Sequence, residues 1–183
     1  GIYFNANMQK GRTLVIENNV FDKTIKGATY IVGFTNVSIA KNRVLNSFDT
    51  QNIILNFLQN CNKVDIRNNV VYSKGGIGYY LYTINDALLL NNCITIANSE
   101  LANSSTGINL VLSTKMRLYN NTINHQDSAM NDYGISCQMD YTCDSIILKN
   151  NIVSCSKLAP ALNITGDESA QGRIWGNYNN FFS

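Results

Sequence analysis

One short phrase recurs along this chain: an apolar-x-apolar pair, one spacer or an Asn, then Asn, then a β-branched or apolar residue. It reads Val15-Ile16-Glu17-Asn18-Asn19-Val20, Ser38-Ile39-Ala40-Lys41-Asn42-Arg43-Val44, Asp65-Ile66-Arg67-Asn68-Asn69-Val70, Leu88-Leu89-Leu90-Asn91-Asn92-Cys93-Ile94, Arg117-Leu118-Tyr119-Asn120-Asn121-Thr122-Ile123 and Ile147-Leu148-Lys149-Asn150-Asn151-Ile152-Val153. A looser copy closes the chain at Arg173-Ile174-Trp175-Gly176-Asn177. Taking the last Asn of each copy as an anchor (19, 42, 69, 92, 121, 151, 177), successive differences are 23, 27, 23, 29, 30 and 26 residues. A period of this length means an array of stacked units, and that decides the fold before any catalytic motif is sought.

A second phrase lies upstream of most anchors: Gly76-Ile77-Gly78-Tyr79, Gly107-Ile108-Asn109-Leu110 and Gly134-Ile135-Ser136-Cys137, with weaker copies at Asn52-Ile53-Ile54-Leu55 and Ala161-Leu162-Asn163-Ile164. Each repeat thus holds two or three short alternating runs separated by Gly, Asn, Ser and Asp, too short for helices and right for strands. Such a unit buries its apolar face only by stacking on the next copy, so the prediction is a solenoid of β-coils with strands ~4.8 Å apart. At the sharp corner, Asn tolerates the left-handed backbone region, and its amide bonds backbone groups of its own turn and the Asn above and below. Asn19, Asn42, Asn69, Asn92, Asn121, Asn151 and Asn177 are therefore expected to form an internal ladder.

These two phrases resemble the right-handed parallel β-helix repeat of the pectin-lyase-like superfamily, in which Gly-Ile-x-apolar opens a coil and Asn fills a turn. The resemblance spans residues 2–180. It implies an all-β, single-stranded right-handed parallel β-helix of about seven coils, an extracellular or cell-surface setting, and a saccharide groove on the sheet that opens each coil. A single domain over residues 1–183 is expected, as the mature part or a piece of a longer solenoid with flanking coils.

Hydrophobic residues make up 45% of the chain and Pro occurs once, so a core can form and disorder is excluded. A net charge of +2 does not announce a nucleic-acid partner. No run approaches the roughly 18 apolar residues of a membrane span. Cys61, Cys93, Cys137, Cys143 and Cys155 contain no CxxC pair and read mainly as small buried apolar residues, with a Cys137 to Cys143 or Cys143 to Cys155 bridge left open.

In a solenoid, equivalent outward side chains line up in columns. Two residues before the anchors stand Glu17, Ala40, Arg67, Leu90, Tyr119, Lys149 and Trp175; four before stand Val15, Ser38, Asp65, Leu88, Arg117, Ile147 and Arg173. The mix of Arg67, Arg117, Tyr119, Lys149, Arg173 and Trp175 suits an acidic polysaccharide, since guanidinium forks meet carboxylates and flat rings stack on sugar faces. Six before the anchor, Lys63, Asp86 and Lys115 read as a structural ion ladder. On the opening strands the outward phase is expected to give Ile54 and Asn56; Gly78, Tyr80 and Tyr82; Asn109, Val111 and Ser113; Ser136, Gln138 and Asp140; then Asn163 and Thr165. Tyr80, Tyr82, Asn109, Gln138 and Asp140 would form a sugar-binding floor, walled by loops at 97–106 and 124–133 that contribute Glu100, His125, Asp127 and Asp132.

A uronate lyase needs a Lys or Arg as base and, to neutralise the substrate acid, usually a carboxylate cluster for Ca²⁺ or basic groups, and a glycoside hydrolase needs carboxylates on one face of adjacent coils. Neither constellation stands out: the weak catalytic candidates are Asp140, His125, Asp127, Lys149 and Arg117, no metal ligand set is evident, and no cofactor is implied beyond Ca²⁺ without a recognisable cluster. The expectation is a β-helix module that contacts a polysaccharide, an acidic one by preference. The alternatives are a polysaccharide lyase, hydrolase or epimerase acting on uronate glycans, and a structural or adhesion solenoid without saccharide affinity.

Overall fold

The computed structural model of the chain describes residues 1–6, 12–23, 27–46, 53–97, 104–126, 132–156, 159–167, 169 and 173–182. Its strands sort into three parallel seven-stranded sheets, each taking every third strand of the sequence. The first sheet holds Ile2–Asn5, Thr29–Val32, Ile54–Gln59, Ile77–Tyr82, Thr106–Val111, Tyr133–Met139 and Leu162–Gly166. The second holds Thr13–Glu17, Asn36–Ala40, Asn62–Arg67, Asn85–Leu90, Thr114–Tyr119, Ile146–Lys149 and Ile174–Asn177. The third holds Val20–Asp22, Arg43–Asn46, Val70–Lys74, Cys93–Ala97, Thr122–His125, Ile152–Cys155 and Asn180–Phe182. This is the right-handed parallel β-helix expected.

Register makes the core a set of columns. Ile16, Ile39, Ile66, Leu89, Leu118 and Leu148 stack on the inner face of the second sheet, and Val44, Val71, Ile94, Ile123 and Val153 on that of the third. All are 4% exposed or less. Each such side chain stabilises the fold by about 1.5–3 kcal/mol relative to exposure. Cys137 continues the column Ile31, Leu58, Leu81, Leu110, fully buried where its predecessors are aliphatic.

The corner between second and third sheets carries the ladder. The N–H of Asn19, Asn42, Asn69, Asn92, Asn121 and Asn151 each donates to Oδ1 of the Asn one coil on, at 2.9–3.1 Å. The Nδ2 of each donates to that same oxygen at 2.9–3.2 Å. From Asn42 onward the second Nδ2 hydrogen goes back to a carbonyl: Ile16, Ile39, Ile66, Leu89, Leu118 and, from Asn179, Leu148, at 2.8–3.0 Å. Asn42 through Asn151 are at most 2% exposed, so these bonds are the only solvation the amides receive.

The structure corrects this reading in two respects. The last rung is Asn179, not Asn177, which sits exposed on the second sheet beside Lys149. The left-handed backbone falls on the residue before each rung rather than on the rung, at Asn18, Lys41, Asn68, Asn91, Asn120, Asn150 and Tyr178, with φ between 54° and 58°. One residue turns the chain and the next bonds it, which explains why Asn pairs recur and why Lys41 and Tyr178 interrupt them without breaking the ladder.

The Gly of the second phrase has a packing cause. A Cβ on Gly78, Gly107 or Gly134 would lie 3.0 Å from Ile94 Cγ2, 2.6 Å from Ile123 Cγ2 and 2.3 Å from Val153 Cγ1, the inward β-branched residue of the same coil's third strand. The first and third sheets converge here, and glycine lets them meet.

Candidate functional site

The outer face of the first sheet opens with an aromatic column. Tyr3, Tyr30, Phe57 and Tyr80 are register partners on four successive strands, with ring centroids 4.8, 4.6 and 5.6 Å apart and planes inclined by 14°. Asn109, Ser136 and Asn163 continue it. The neighbouring column runs Gln59, Tyr82, Val111, Gln138, Thr165. Stacked rings spend their faces on one another, so this surface presents ring edges, phenol hydroxyls and amides. Burial, with Tyr82 beside it, pushes the Tyr80 hydroxyl above its ordinary pKa, so it stays a neutral donor.

Asn56, Gly78 and Ser113 do not belong to that face. Two consecutive residues turn inward at this bend, as Gly78 and Tyr79 do, and shift the phase of the strand. Asn56 is 1% exposed, accepts from Thr29 Oγ1 at 3.0 Å and donates to the Gly78 carbonyl at 3.1 Å. Ser113 is buried in the corner, where its Oγ accepts the Ile84 N–H at 3.1 Å. Asp140 lies past the end of Tyr133–Met139, where Oδ1 accepts the Thr142 hydroxyl at 2.5 Å and its N–H at 2.9 Å. The Thr142 hydroxyl, chiefly, holds this carboxyl below the usual carboxylate range.

On the second sheet the outward columns are Glu17, Ala40, Arg67, Leu90, Tyr119, Lys149, Asn177 and Val15, Ser38, Asp65, Leu88, Arg117, Ile147, Trp175. Trp175 therefore stands above Ile147 rather than above Lys149, and Arg173 leaves the column to donate to the carbonyls of Tyr141 and Cys143. Arg67 is held by Asp65, through Nε to Oδ1 at 2.7 Å and a second contact from Nη2 to Oδ2. Arg117 meets Asp86 at 2.5 Å. Asp86 is thus committed to Arg117 instead of to an ion ladder with Lys63 and Lys115; these three share a column of left-handed backbone. A shallow groove lined by Lys63, Val64, Asp65, Asp86, Leu88 and Arg117 runs between the paired charges.

His125 is not in a loop. It ends the strand Thr122–His125, 1% exposed, in the inward column Asn46, Ser73, Ile96, His125, Cys155. Asp127 and Glu100 lie outside the described residues. Asp132 is fully buried, and its Oδ1 accepts the Ser105 N–H at 2.6 Å. Burial, reinforced by the charge of Asp132, pushes the half-buried Cys155 thiol up to about 11. Cys155 Sγ rests 3.0 Å from where a Cβ of Gly134 would be. His125, Cys155 and Asp132 therefore share one corner, between third and first sheets. Four residues after the anchors Asn42, Asn69, Asn92, Asn121 and Asn151 stand Asn46, Ser73, Ile96, His125 and Cys155, so counting forward, rather than back, reveals this column.

Of the catalytic candidates, Asp140, His125, Lys149 and Arg117 lie apart: a turn after the first sheet, the interior, and two positions on the second. All five cysteines are free: Cys61, Cys137 and Cys143 buried, Cys155 half-buried and Cys93 exposed. Among the described residues no group of three or more His, Cys, Asp and Glu gathers as a metal site.

Three sheets, an amide ladder and interior columns define a parallel β-helix repeat protein. Residues 1–182 match the family model described as periplasmic copper-binding protein (NosD). The chain belongs to the NosD family. That family's periplasmic setting agrees with the location expected outside the cytoplasm. No curated protein and no solved structure matches the chain.

Proposed function

We propose that this NosD-family chain is a binding module whose working surface is the outer face of the first sheet and whose ligand is an extended polysaccharide. The observation that carries this is the run of uncharged donors and acceptors, Tyr80, Tyr82, Asn109 and Gln138, on adjacent coils of a rigid sheet. Hydroxyls and amides at strand spacing, ~4.8 Å, suit a polymer of hydroxyls that crosses several coils. The ligand is expected to be neutral rather than acidic. Arg67 and Arg117 are already matched by Asp65 and Asp86, which leaves Tyr119 and Lys149 as a weak lure for polyanions. A glycan array followed by calorimetry tests it. Binding of neutral glycans, weakened at least tenfold by Tyr82→Ala or Gln138→Ala, supports the reading. Silence on the array, or binding of uronate polymers alone, overturns it, and unsaturated product from those polymers would establish a lyase instead.

A second reading brings the family's copper to this chain, favoured by the placing of its one His and a Cys side by side in the interior. Copper(I) takes thiolate and imidazole donors, and His125 and Cys155 fit it as a two-donor set. Their role would be to hold and shield the ion. Copper-to-chain stoichiometry, measured anaerobically after gel filtration, tests this: a ratio near one supports it, and no retained copper overturns it.

A further inference from the structure

Resting on the copper reading, we infer that His125 and Cys155 bind one copper(I) ion between two adjacent coils, in the corner where the third sheet turns into the first. The two are register partners on parallel strands, in the inward phase set by Ile123 and Val153. Neighbours in such a column stand ~4.8 Å apart, which brings imidazole and sulfur within reach of one ion. Further down the column the chemistry is different: Asn46 donates to Ser73 Oγ at 3.4 Å, and Ile96 is apolar. At the level of His125 and Cys155 the column changes to an imidazole and a thiol.

Cys155 is half-buried while His125 is enclosed, so the sulfur side faces the approach. The fully buried carboxylate of Asp132 adds a negative charge next to the thiol, held by the Ser105 N–H. When the ion binds, the Cys155 S–H bond breaks, a sulfur–copper bond forms, and the proton leaves to solvent. The single charge of copper(I) would balance the thiolate, and the Asp132 carboxylate would keep its bond from the Ser105 N–H. One thiolate and one imidazole suit copper(I), which accepts two ligands, better than zinc, which wants four, and than Ca²⁺, which wants six or more oxygens. The other thiol pair, Cys137 and Cys143, is more deeply enclosed and has no imidazole beside it.

The test uses the full chain under anaerobic conditions, with copper(I) supplied against a chromophoric chelator of known affinity. His125→Leu and Cys155→Ser are each expected to lose at least 100-fold in affinity, while Cys137→Ala and Cys93→Ser stay within threefold of the parent. Circular dichroism on each variant separates loss of the site from loss of the fold. As a check that needs no variant, copper(I) is expected to protect Cys155, and not Cys93, from alkylation mapped by peptide mass. Copper bound by the parent with unchanged affinity in His125→Leu and Cys155→Ser, or with Cys155 still alkylated, overturns the site but leaves the copper reading standing. No copper on the parent chain overturns both.

Discussion

Two corners of the same coils behave in opposite ways. Between second and third sheets every coil repeats one residue, and each of its polar atoms is bonded to the coil before or after. Between third and first sheets the equivalent inward position is Asn, Ser, Ile, His and Cys in turn, and the length of chain that follows varies from coil to coil. A corner built on a continuous hydrogen-bond chain fixes both residue and spacing. A corner whose polar contacts change from coil to coil, as Asn46 with Ser73 and Ser105 with Asp132 do, leaves them free, and variation of that kind is where a repeat protein places its chemistry.

The sharpest way to break this contrast is to cut each corner at equal depth. Asn121→Leu removes the partner of the Asn92 N–H, of one Asn92 Nδ2 hydrogen and of the Leu89 carbonyl in the interior, and is expected to cost about 3–5 kcal/mol in urea unfolding. His125→Ile, four residues on, places in its column the side chain type that Ile96 already shows, and should cost about 1–2 kcal/mol. Equal losses would mean that the open corner is as tightly specified as the ladder.

Alkaline titration reads the core between the corners. Burial pushes the Cys137 thiol up to about 12, from 9.0 in an exposed thiol. Its raised folded value means that stability is complete below pH 9 and is lost as pH climbs towards 12, at about 1.4 kcal/mol per pH unit for such a thiol. Cys137→Ala is expected to lower stability at pH 8 but to flatten that decline, as followed by urea midpoints from pH 8 to 11. A slope unchanged by the substitution would show that the thiol ionises as readily folded as unfolded.

A smaller effect tests the end of the ladder. Asn179→Leu should cost about 1–2 kcal/mol, since that rung is only partly buried, whereas Asn177→Leu should change the unfolding midpoint little. The reverse order would restore Asn177 as the last rung. Least of all, Asp65→Asn should cost under about 1 kcal/mol, because the Arg67 pair is about two-fifths exposed on its arginine side, and the loss should shrink in high salt.

These corners also mark what was legible in the chain itself. Six anchors, Asn19 to Asn151, were readable because each follows a turn residue at fixed distance and returns with the coil. The seventh was misplaced by two, because Asn177 and Asn179 are both Asn and the left-handed residue between them is Tyr178, which no turn preference singles out. On the first sheet strict alternation fails at the bend, where Leu55 and Asn56, and Gly78 and Tyr79, turn inward in succession, so a period-two count puts Asn56 and Gly78 on the surface. Past the bend the count holds, and Tyr80 and Tyr82 face outward. Sequence alone puts His125 in a loop, because the strand edge at Thr122–His125 carries no sequence mark. Its meeting with Cys155 and Asp132 is a matter of register across 30 residues, and only the stacked coils supply it.

The ladder has a direction. Every Oδ1 accepts from the coil on its N-terminal side, so the amide dipoles along the corner point one way. Their carbonyl ends face the first coil, and the sum is a small axial dipole made of side chains, negative at that end. Reversing one amide would set oxygen against oxygen on one side and hydrogen against hydrogen on the other. A coil from any source, joined to this column, is therefore accepted in only one orientation: head to tail.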